Sequence, residues 1–244
     1  MREPRTSSLS KALTILDAFT ERDVAVSMTE LAKRTGLPRS TAHRLIGELV
    51  RWGALERTSR GLSIGLRLFE LGHLGAPRSL GDVALPHLEG LQAATRKTVN
   101  LGVPDRGDIV YLVKLSSSGA RVPESRQGGR LPLHCTALGK AILAFSPDQV
   151  VDEVLGGSLA KVTSATRTEP AVIRMELSTI RRRRVAFEFG ESAPGVICVA
   201  SAVTSAEQGV VAAVSVTGLS SPADARRVAP AVLTTALSLS HALV

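Results

Sequence analysis

Five polar and basic side chains are crowded into one short stretch of the chain: Arg39, Ser40, Thr41, His43 and Arg44. Such side chains can donate hydrogen bonds to, or accept them from, the base edges and phosphate oxygens of a nucleic acid duplex. Two further basic residues, Arg57 and Arg60, carry the charge needed to contact a phosphate or to enter a minor groove. These seven residues are the predicted DNA contacts, provided that the surrounding elements present them to solvent.

The elements that must position these residues have the pattern of a helix-turn-helix. Ser27 and Glu30 have capping-box spacing and predict a short first helix that ends near Arg34. Gly36 supplies the tight turn that follows. Because a proline is tolerated in the first turn of a helix, a second helix can run over about Pro38–Trp52 and carry the five polar residues.

The second helix has two distinct faces. Its apolar residues recur at helical spacing, and they are Ala42, Leu45, Ile46, Leu49 and Val50. We expect this stripe to pack on the first helix, while the predicted DNA contacts and Gly47 face outward. The N-terminal end of a recognition helix is the part that enters the major groove. An ordinary solvated helical subdomain is the alternative interpretation.

A short hairpin completes a winged helix-turn-helix. Gly53 ends the second helix. Ala54–Thr58 and Leu62–Ile64 can then pair as strands around the turn Ser59–Gly61, and they place two arginines on a wing. Caps, turn, apolar stripe, polar face and basic hairpin all agree, which favours DNA binding over the solvated subdomain.

The composition also favours a nucleic acid partner. Lys and Arg number 30 against 22 Asp and Glu, giving a formal net charge of +8, and 44% of the 244 residues are hydrophobic, enough for sizeable cores. Aromatic residues make up only 3%, too few for a protein that stacks single-stranded bases. Two cysteines, no long apolar run and no signal-peptide pattern predict a cytoplasmic protein with no membrane partner and no disulfide framework.

Helices are predicted on both sides of the winged helix. Ser10 can cap a first helix that runs to about Thr20. The core side of that helix is predicted to contain Leu9, Ala12, Leu13, Leu16 and Phe19. Arg67–Leu74 predicts another short helix before Gly75–Pro77 breaks the pattern. A longer amphipathic helix over Ser79–Arg96 follows, in which Pro86 delays the start or produces a kink. Its apolar side is predicted to contain Leu80, Val83, Ala84, Leu88, Leu91 and Ala94.

The rest of the chain mixes strands and helices without regular alternation, which favours an α+β fold with an antiparallel sheet. Strands are predicted at Thr98–Val103, Ile109–Leu115, Val185–Phe189, Val196–Val203 and Val210–Thr217. Helices are predicted at Thr136–Ala144, at Pro147–Leu155, at Glu169–Arg183 with Thr168 as its cap, and from the cap Ser221 to about Ala242, with a polar loop at Arg121–Arg130. We divide the chain into a winged helix-turn-helix domain (1–75), a linker helix (76–97) and a C-terminal domain (98–244).

Three segments of the C-terminal domain could converge on a small molecule. The first is Leu131–Lys140, where a helix that begins near Thr136 would direct free backbone N–H groups at an anion such as a carboxylate. The second is Glu188–Cys198. The third is the pair Ser215 and Thr217, two hydroxyls on the same face of a strand. The alternative is that these are satisfied residues of an ordinary core.

Enzymatic or metal chemistry has weaker support. His134 and Cys135 are residue types used in nucleophilic catalysis, but neighbours on a strand point apart and no third orienting group is evident. No spaced cluster of His and Cys predicts a metal site. Cys135 and Cys198 are more typical of small buried hydrophobes. The run Arg181–Arg184 is typical of a solvated helix end, with a role in DNA binding as the alternative.

Four motifs extend over nearly the whole chain, from about Ser8 to the C-terminus. They are RTGLPRSTAHRLIGELVRWGALER, then GLRLFELG, GGRLPLHCTALGKAILA and GVICVASAVTSAEQGVVAAVSVTGLSS. With these motifs in this order, the chain resembles the IclR family of bacterial transcriptional regulators. The resemblance implies an N-terminal winged helix, a linker helix and a C-terminal effector domain related to GAF and PAS folds. It also implies a homodimer that often pairs into a homotetramer on DNA, and ligands that are small metabolites, frequently organic or aromatic acids.

The resemblance further implies ligand contacts, position by position. They are Leu131, Ala137, Leu138, Glu188, Val196, Cys198, Ser215 and Thr217. Glu188 stands where glyoxylate-responsive relatives have a shorter Asp. Arg184–Ala186 stands where the family often has a motif of Gly followed by Tyr or Trp. The longer side chain of Glu188 and the threonine at position 217 leave the identity of the ligand open, and the absence of the Gly-Tyr/Trp motif is expected to alter the shape of the pocket.

We therefore expect a ligand-responsive, DNA-binding transcriptional regulator and not an enzyme. Its partners would be a double-stranded DNA operator and a small organic, carboxylic acid effector, with no cofactor. The ligand would act by favouring one arrangement of the paired winged helices. The alternatives are a DNA-binding oligomerisation module whose pocket is vestigial and, less favoured, a small-molecule enzyme.

Overall fold

A computed structural model describes residues 7–20, 22–74, 76–116 and 125–243. The chain divides into two compact units, Met1–Arg78 and Ser79–Val244. No helix within the described ranges is both long and apolar enough to cross a membrane.

The N-terminal unit is a helical bundle followed by a hairpin. Its elements are α1 (Ser8–Asp17), α2 (Met28–Thr35), α3 (Arg39–Trp52), β1 (Leu55–Thr58), β2 (Gly61–Ile64) and α4 (Leu66–Gly72). Ser27 caps α2, since its hydroxyl accepts the Glu30 N–H at 3.2 Å, and Gly36 ends that helix in the left-handed conformation at φ 65°. The predicted stripe on α3 lies inward, with Ala42, Leu45 and Ile46 fully buried.

The prediction for α1 is partly wrong. Ser7, not Ser10, caps the helix, and its hydroxyl accepts the Ser10 N–H at 3.0 Å. Leu9 and Leu13, predicted to face the core, are 69% and 50% exposed, whereas Ile15 is fully buried. The sequence of α1 has apolar residues on two adjoining faces, so periodicity alone does not distinguish the buried face from the exposed one.

The wing is held against the segment that precedes α2. Val26 and Leu62 exchange both backbone hydrogen bonds, at 2.8 and 2.9 Å, so that a third short segment joins the β1–β2 hairpin. Gly61 at the wing turn has φ 135°, and a Cβ atom there would lie 2.7 Å from the Val26 carbonyl oxygen. Only glycine fits this close approach without strain.

The C-terminal unit is an antiparallel α+β domain, as predicted. Its strands are β3 (Thr98–Asp105), β4 (Asp108–Leu115), β5 (Arg130–Pro132), β6 (Ala186–Phe189), β7 (Ile197–Ser205) and β8 (Gly209–Thr217). Its helices are α5 (Ala76–Thr95), a 3₁₀ turn (Leu133–Cys135), α6 (Ala137–Phe145), α7 (Asp148–Gly156), α8 (Pro170–Arg183) and α9 (Pro222–Ala242). The six strands form one sheet in the order β5-β4-β3-β8-β7-β6.

Several details of this unit differ from prediction. Helix α5 starts at Ala76 and runs through Pro86, and its residues Val83 and Ala94 are exposed instead of buried. Glu169, not Thr168, is the N-cap of α8, and it makes no side-chain cap hydrogen bond. Pro170 occupies the first position of the helix, where a proline is tolerated. Of the predicted loop Arg121–Arg130, residues 121–124 lie outside the described residues. Strand β5 and the 3₁₀ turn were not predicted.

The sheet separates two hydrophobic cores. On β7, Cys198, Ala200 and Ala202 face a core shared with α6, α7 and α8. Val199 and Val203 alternate with them and face a second core shared with α5 and α9. The first face has mostly small side chains, and it is the face on which the candidate ligand residues lie.

Candidate functional sites

The first candidate site is the outer surface of α3. Arg39, Ser40, His43 and Arg44 are exposed, and Thr41 is half-buried at the same end of the helix. The first turn of α3 has no side-chain cap, since Pro38 occupies the N-cap position. The structure therefore presents all five predicted DNA contacts of the helix at or near its solvent side.

Two features of this surface were not predicted. The Arg44 guanidinium donates to the Glu48 carboxylate one turn later at 2.8 Å, and both side chains are about half exposed. A DNA phosphate would compete with this carboxylate for Arg44, because both are anionic acceptors for the same donors. On the wing, Arg57 and Arg60 are exposed, and the Thr58 hydroxyl shapes the turn by accepting the Arg60 N–H at 3.2 Å.

The second candidate site is centred on Glu188 in the C-terminal unit. Only 2% of Glu188 is exposed. Its carboxyl oxygens accept hydrogen bonds from the Ala137 N–H at 3.4 Å, from the Ser192 N–H at 2.9 Å and from the Ser192 hydroxyl. Burial raises the pKa of this carboxyl above its ordinary value, although the hydrogen bonds from Ser192 oppose that shift. An acidic group is thus held against the first residue of α6.

Strand register aligns the polar residues of this site in two rows. In the first row Glu188 pairs with Cys198, Cys198 with Thr217, and Thr217 with Thr98. In the second row Ala200 pairs with Ser215, Ser215 with Asn100, and Asn100 with Lys114. The predicted contacts Glu188, Cys198, Ser215 and Thr217 therefore lie on neighbouring strands of one buried face.

The remaining predicted ligand contacts border these rows. Ala137, Leu138 and Leu131 are buried in the core between α6 and the sheet, and Val196, the residue before β7, packs against that core. The structure thus brings all eight predicted positions to the same side of the sheet.

Asn100 belongs to this site but was not predicted. It is 2% exposed, and its side-chain N–H group donates to the Ser215 hydroxyl at 3.2 Å. Its Oδ1 atom is buried and has no hydrogen-bond partner among the residues that the structure describes. The alternation of Thr98, Val99, Asn100 and Leu101 is the signal that could have identified it, because it places two polar side chains on one face of an otherwise apolar strand.

A second unpredicted feature is a buried ammonium group. Lys140 on α6 is fully buried, and its Nζ atom lies 2.6 Å from Glu191 Oε1 and 2.9 Å from Glu176 Oε1. Arg167 also contacts Glu176, at 2.6 Å. A single lysine within the small-residue helix LGKAILA was the available signal, since a buried lysine requires an ionic partner.

The cysteines are poorly suited to nucleophilic chemistry. Burial raises the pKa of the Cys135 thiol to about 12 and raises that of Cys198 as well, so both remain protonated at neutral pH. His134 directs Nε2 to the Ala160 carbonyl oxygen at 3.0 Å, and burial lowers its pKa. Within the described ranges, no three His, Cys, Asp or Glu side chains are grouped so that they could hold a metal ion.

Both units match known protein families. Residues 8–59 match the IclR helix-turn-helix domain, and residues 77–241 match the C-terminal domain of bacterial transcriptional regulators of the IclR type. The chain therefore belongs to the IclR family of DNA-binding transcriptional regulators, whose C-terminal domain binds an effector.

Individual relatives span nearly the full chain. XynR, an HTH-type transcriptional regulator of Escherichia coli K12, is 32% identical over 91% of this chain and 89% of its own length. The transcriptional repressor IclR of the same organism is 30% identical over 88% of this chain and 80% of its own. Among solved structures, an IclR homolog from Microbacterium hydrocarbonoxydans in complex with 4-hydroxybenzoate has a TM-score of 0.89 at 30% identity, covering 97% of this chain and 99% of that one.

Proposed function

We propose that this protein is a transcriptional regulator that senses a small organic acid and responds by changing its affinity for an operator. The observation that carries this proposal is the buried polar face of the sheet. Asn100, Ser215, Thr217, Cys198 and Glu188 lie on one face of the sheet, next to a core of mainly apolar residues. Polar groups are costly to bury, and a set of this kind is typical of a ligand site.

The similarity to a 4-hydroxybenzoate complex supports an organic acid as the effector class. We assign Leu131, Ala137, Leu138 and Val196 to the apolar wall of the site, since they surround the polar rows. A vestigial site would also retain an apolar wall. The unsatisfied Oδ1 atom of Asn100 favours a ligand over a vestigial site, because a buried acceptor without a donor is destabilising.

DNA would be contacted through α3 and the wing. Arg39, Ser40, Thr41, His43 and Arg44 are assigned to the major groove and adjacent phosphates, and Arg57 and Arg60 to the backbone or minor groove. The protein would act on the chromosome in the cytoplasm. The functional division into 1–75, 76–97 and 98–244 follows from these assignments.

We propose that the protein is a homodimer and that two such dimers can associate into a tetramer on DNA. Winged helices bind palindromic operators as pairs. Large apolar side chains such as Leu13, Trp52 and Phe69 are at least half exposed on the N-terminal unit, and exposed apolar surface favours association. Light scattering of the purified protein, alone and with operator DNA, measures the number of subunits.

The test of the effector proposal is a thermal-shift screen against small mono- and dicarboxylic acids and aromatic acids. A ligand that binds only the folded state must raise the melting temperature. A compound that binds at the proposed site should lose its effect in Ser215→Ala. Ser201→Ala is the matched control, because Ser201 is also buried on the same sheet but donates to the Arg184 carbonyl on the opposite face. A screen without any hit, or a hit that Ser215→Ala leaves unchanged, would contradict the proposal.

A further inference from the structure

The N-terminal end of α6 is already occupied by groups of the protein itself. The Ala137 N–H donates to Glu188 Oε2 at 3.4 Å, and the Gly139 N–H donates to the Thr136 hydroxyl at 3.0 Å. The sequence predicts that a ligand carboxylate would bind at this helix start. In the structure the chain supplies a carboxyl group of its own at that position.

The Glu188 carboxyl group can accept more hydrogen bonds than the three described here, and the nearby buried lysine does not pair with it. Its three hydrogen bonds come from neutral donors, the Ala137 N–H and the N–H and hydroxyl of Ser192. The buried ammonium of Lys140 contacts Glu176 and Glu191 instead. A carboxyl group has about four acceptor positions, so Glu188 can accept a further donor.

Asn100 shows a second unfilled acceptor on the same face of the sheet. Its side chain lies in the row next to that of Glu188, and no donor within the described part of the chain reaches its Oδ1 atom, although the residue is almost wholly buried. Two buried acceptors facing the same core favour a ligand that brings hydrogen-bond donors.

A ligand carboxylate placed at α6 would oppose the carboxyl of Glu188. Two carboxylates share a buried site only when one of them is protonated. A neutral hydroxyl at the same place would donate to Glu188 without that penalty, and it is less costly to bury than an ammonium group.

We propose, building on the proposed organic-acid sensor, that the effector is a hydroxy acid whose hydroxyl donates to Glu188 at the start of α6. Its carboxylate lies away from that helix. An acid without the hydroxyl cannot supply this additional donor to Glu188, and a site built to bind a hydroxyl discriminates strongly against the analogue that lacks it.

The experiment measures affinity for matched pairs of acids that differ by one hydroxyl. The pairs are lactate and propionate, 3-hydroxybutyrate and butyrate, and 4-hydroxybenzoate and benzoate. Alanine and 4-aminobenzoate test an amine donor. Titration calorimetry on the full chain should show that, in the pair that binds, the hydroxylated acid binds at least about tenfold more tightly.

The matching variant is Glu188→Ala, which also frees the Ala137 N–H for a ligand carboxylate. The preference for the hydroxylated acid should then fall to less than about threefold, since the acceptor is gone while the deoxy acid gains a donor. Glu153→Ala, an exposed glutamate on α7, should keep the full preference.

Three results would overturn the inference. If the parent protein binds both members of a pair with equal affinity, the inference is contradicted and the acid-sensor proposal still stands. This comparison does not depend on the folding of any variant. If the amine analogue binds more tightly than the hydroxylated acid, the group of the effector that donates to Glu188 is an amine and not a hydroxyl. Absence of binding by every acid contradicts the sensor proposal, and the inference fails with it.

Discussion

Lys140 Nζ lies 2.6 Å from Glu191 Oε1, and this buried contact joins α6 to the segment that follows β6. The same segment is held from a second side, because the hydroxyls of Thr163 and Thr166 donate to the Gly190 and Glu191 carbonyl oxygens at 2.7 Å each. Ser192, the next residue, supplies two of the three hydrogen bonds to Glu188. The ion pair therefore supports the segment that holds Glu188, the acidic residue of the proposed effector site, without belonging to that site.

Replacing this lysine should destabilise the C-terminal unit strongly. Lys140→Met leaves Glu191 buried without a counterion, and breaking one half of a buried ion pair costs about 3–5 kcal/mol. Urea unfolding, followed by circular dichroism, measures the loss. Lys161→Met, an exposed lysine, is the control and should change stability by less than about 0.5 kcal/mol.

A double variant separates the ion pair from packing. In Lys140→Met with Glu191→Met the buried charge is removed together with its partner, and such apolar replacements are often neutral or stabilising. Most of the lost stability should return, and Glu176 keeps Arg167 as its partner. If the double variant is as unstable as the single one, packing around the Lys140 stem explains the effect instead of charge.

The winged helix and most strands of the sheet could be predicted from local sequence. The contacts between residues of the proposed effector site could not. Ser27, Gly36 and Gly53 mark the ends of helices through their own side chains and backbone preferences, and the structure places all three as expected. By contrast, the contact between Ala137 and Glu188 joins residues 51 positions apart. It depends on how α6 packs across the sheet, which no local pattern encodes.

Ambiguous periodicity explains the errors within helices. Helix α1 offers two apolar faces, so that Leu9 and Leu13 look as suitable for the core as Ile15. In α5, Val83 and Ala94 fit the helical spacing but lie beyond the width of the buried stripe, which is set by Ala84, Leu88 and Leu91. The position of the partner surface decides such cases, and this is a tertiary property.

Arg44 tests the assignment of α3 to DNA. Arg44→Ala should weaken binding to duplex DNA and lower the salt dependence of binding by about one released counterion, because one phosphate or base contact is lost. Fluorescence anisotropy with a mixed-sequence duplex over a range of salt concentrations measures both quantities. The effector-induced thermal shift should stay as in the parent protein.

Two controls sharpen the Arg44 experiment. Arg226→Ala removes the same charge from an exposed position on α9 and should leave DNA affinity unchanged. Glu48→Ala removes the carboxylate that contacts Arg44, and it should tighten DNA binding because the guanidinium no longer exchanges partners. If DNA and effector binding are lost together in Arg44→Ala, the assignment of roles to the two units is wrong.

Gly139 tests the close packing at the start of α6. A Cβ atom there would lie 2.2 Å from the Leu133 carbonyl oxygen and 2.4 Å from its Cα atom, both of them backbone atoms that cannot rotate away. Gly139→Ala should therefore cost about 1–3 kcal/mol or more of unfolding free energy. Gly90→Ala in α5 meets no atom within 4 Å, so it should stabilise the protein by up to about 1 kcal/mol through helix propensity. Equal urea midpoints for the two variants would contradict this description of the packing.

Asp224, in the first turn of α9, makes the folding stability of the protein depend on pH in the acid range. The Ser221 hydroxyl accepts the Asp224 N–H at 3.1 Å, while the Asp224 carboxylate accepts the Ser220 N–H at 3.2 Å and a guanidinium N–H of Arg227 at 2.5 Å. The Ser220 N–H and Arg227 lower the pKa of Asp224 from 3.8 to about 2. Because the folded-state pKa is below the unfolded one, the stabilisation is complete above about pH 4 and is lost as the pH falls towards about 2.

Asp224→Asn should remove this dependence. At neutral pH the variant melts at a lower temperature than the parent protein, since its neutral amide accepts the same hydrogen bonds more weakly and cannot pair with Arg227. As the pH falls from about 4 to about 2, the parent protein loses its advantage and the two melting temperatures converge. Thermal unfolding at a series of pH values measures the difference. If the difference between the two melting temperatures stays constant down to pH 2, the charge of the Asp224 carboxylate does not contribute to stability.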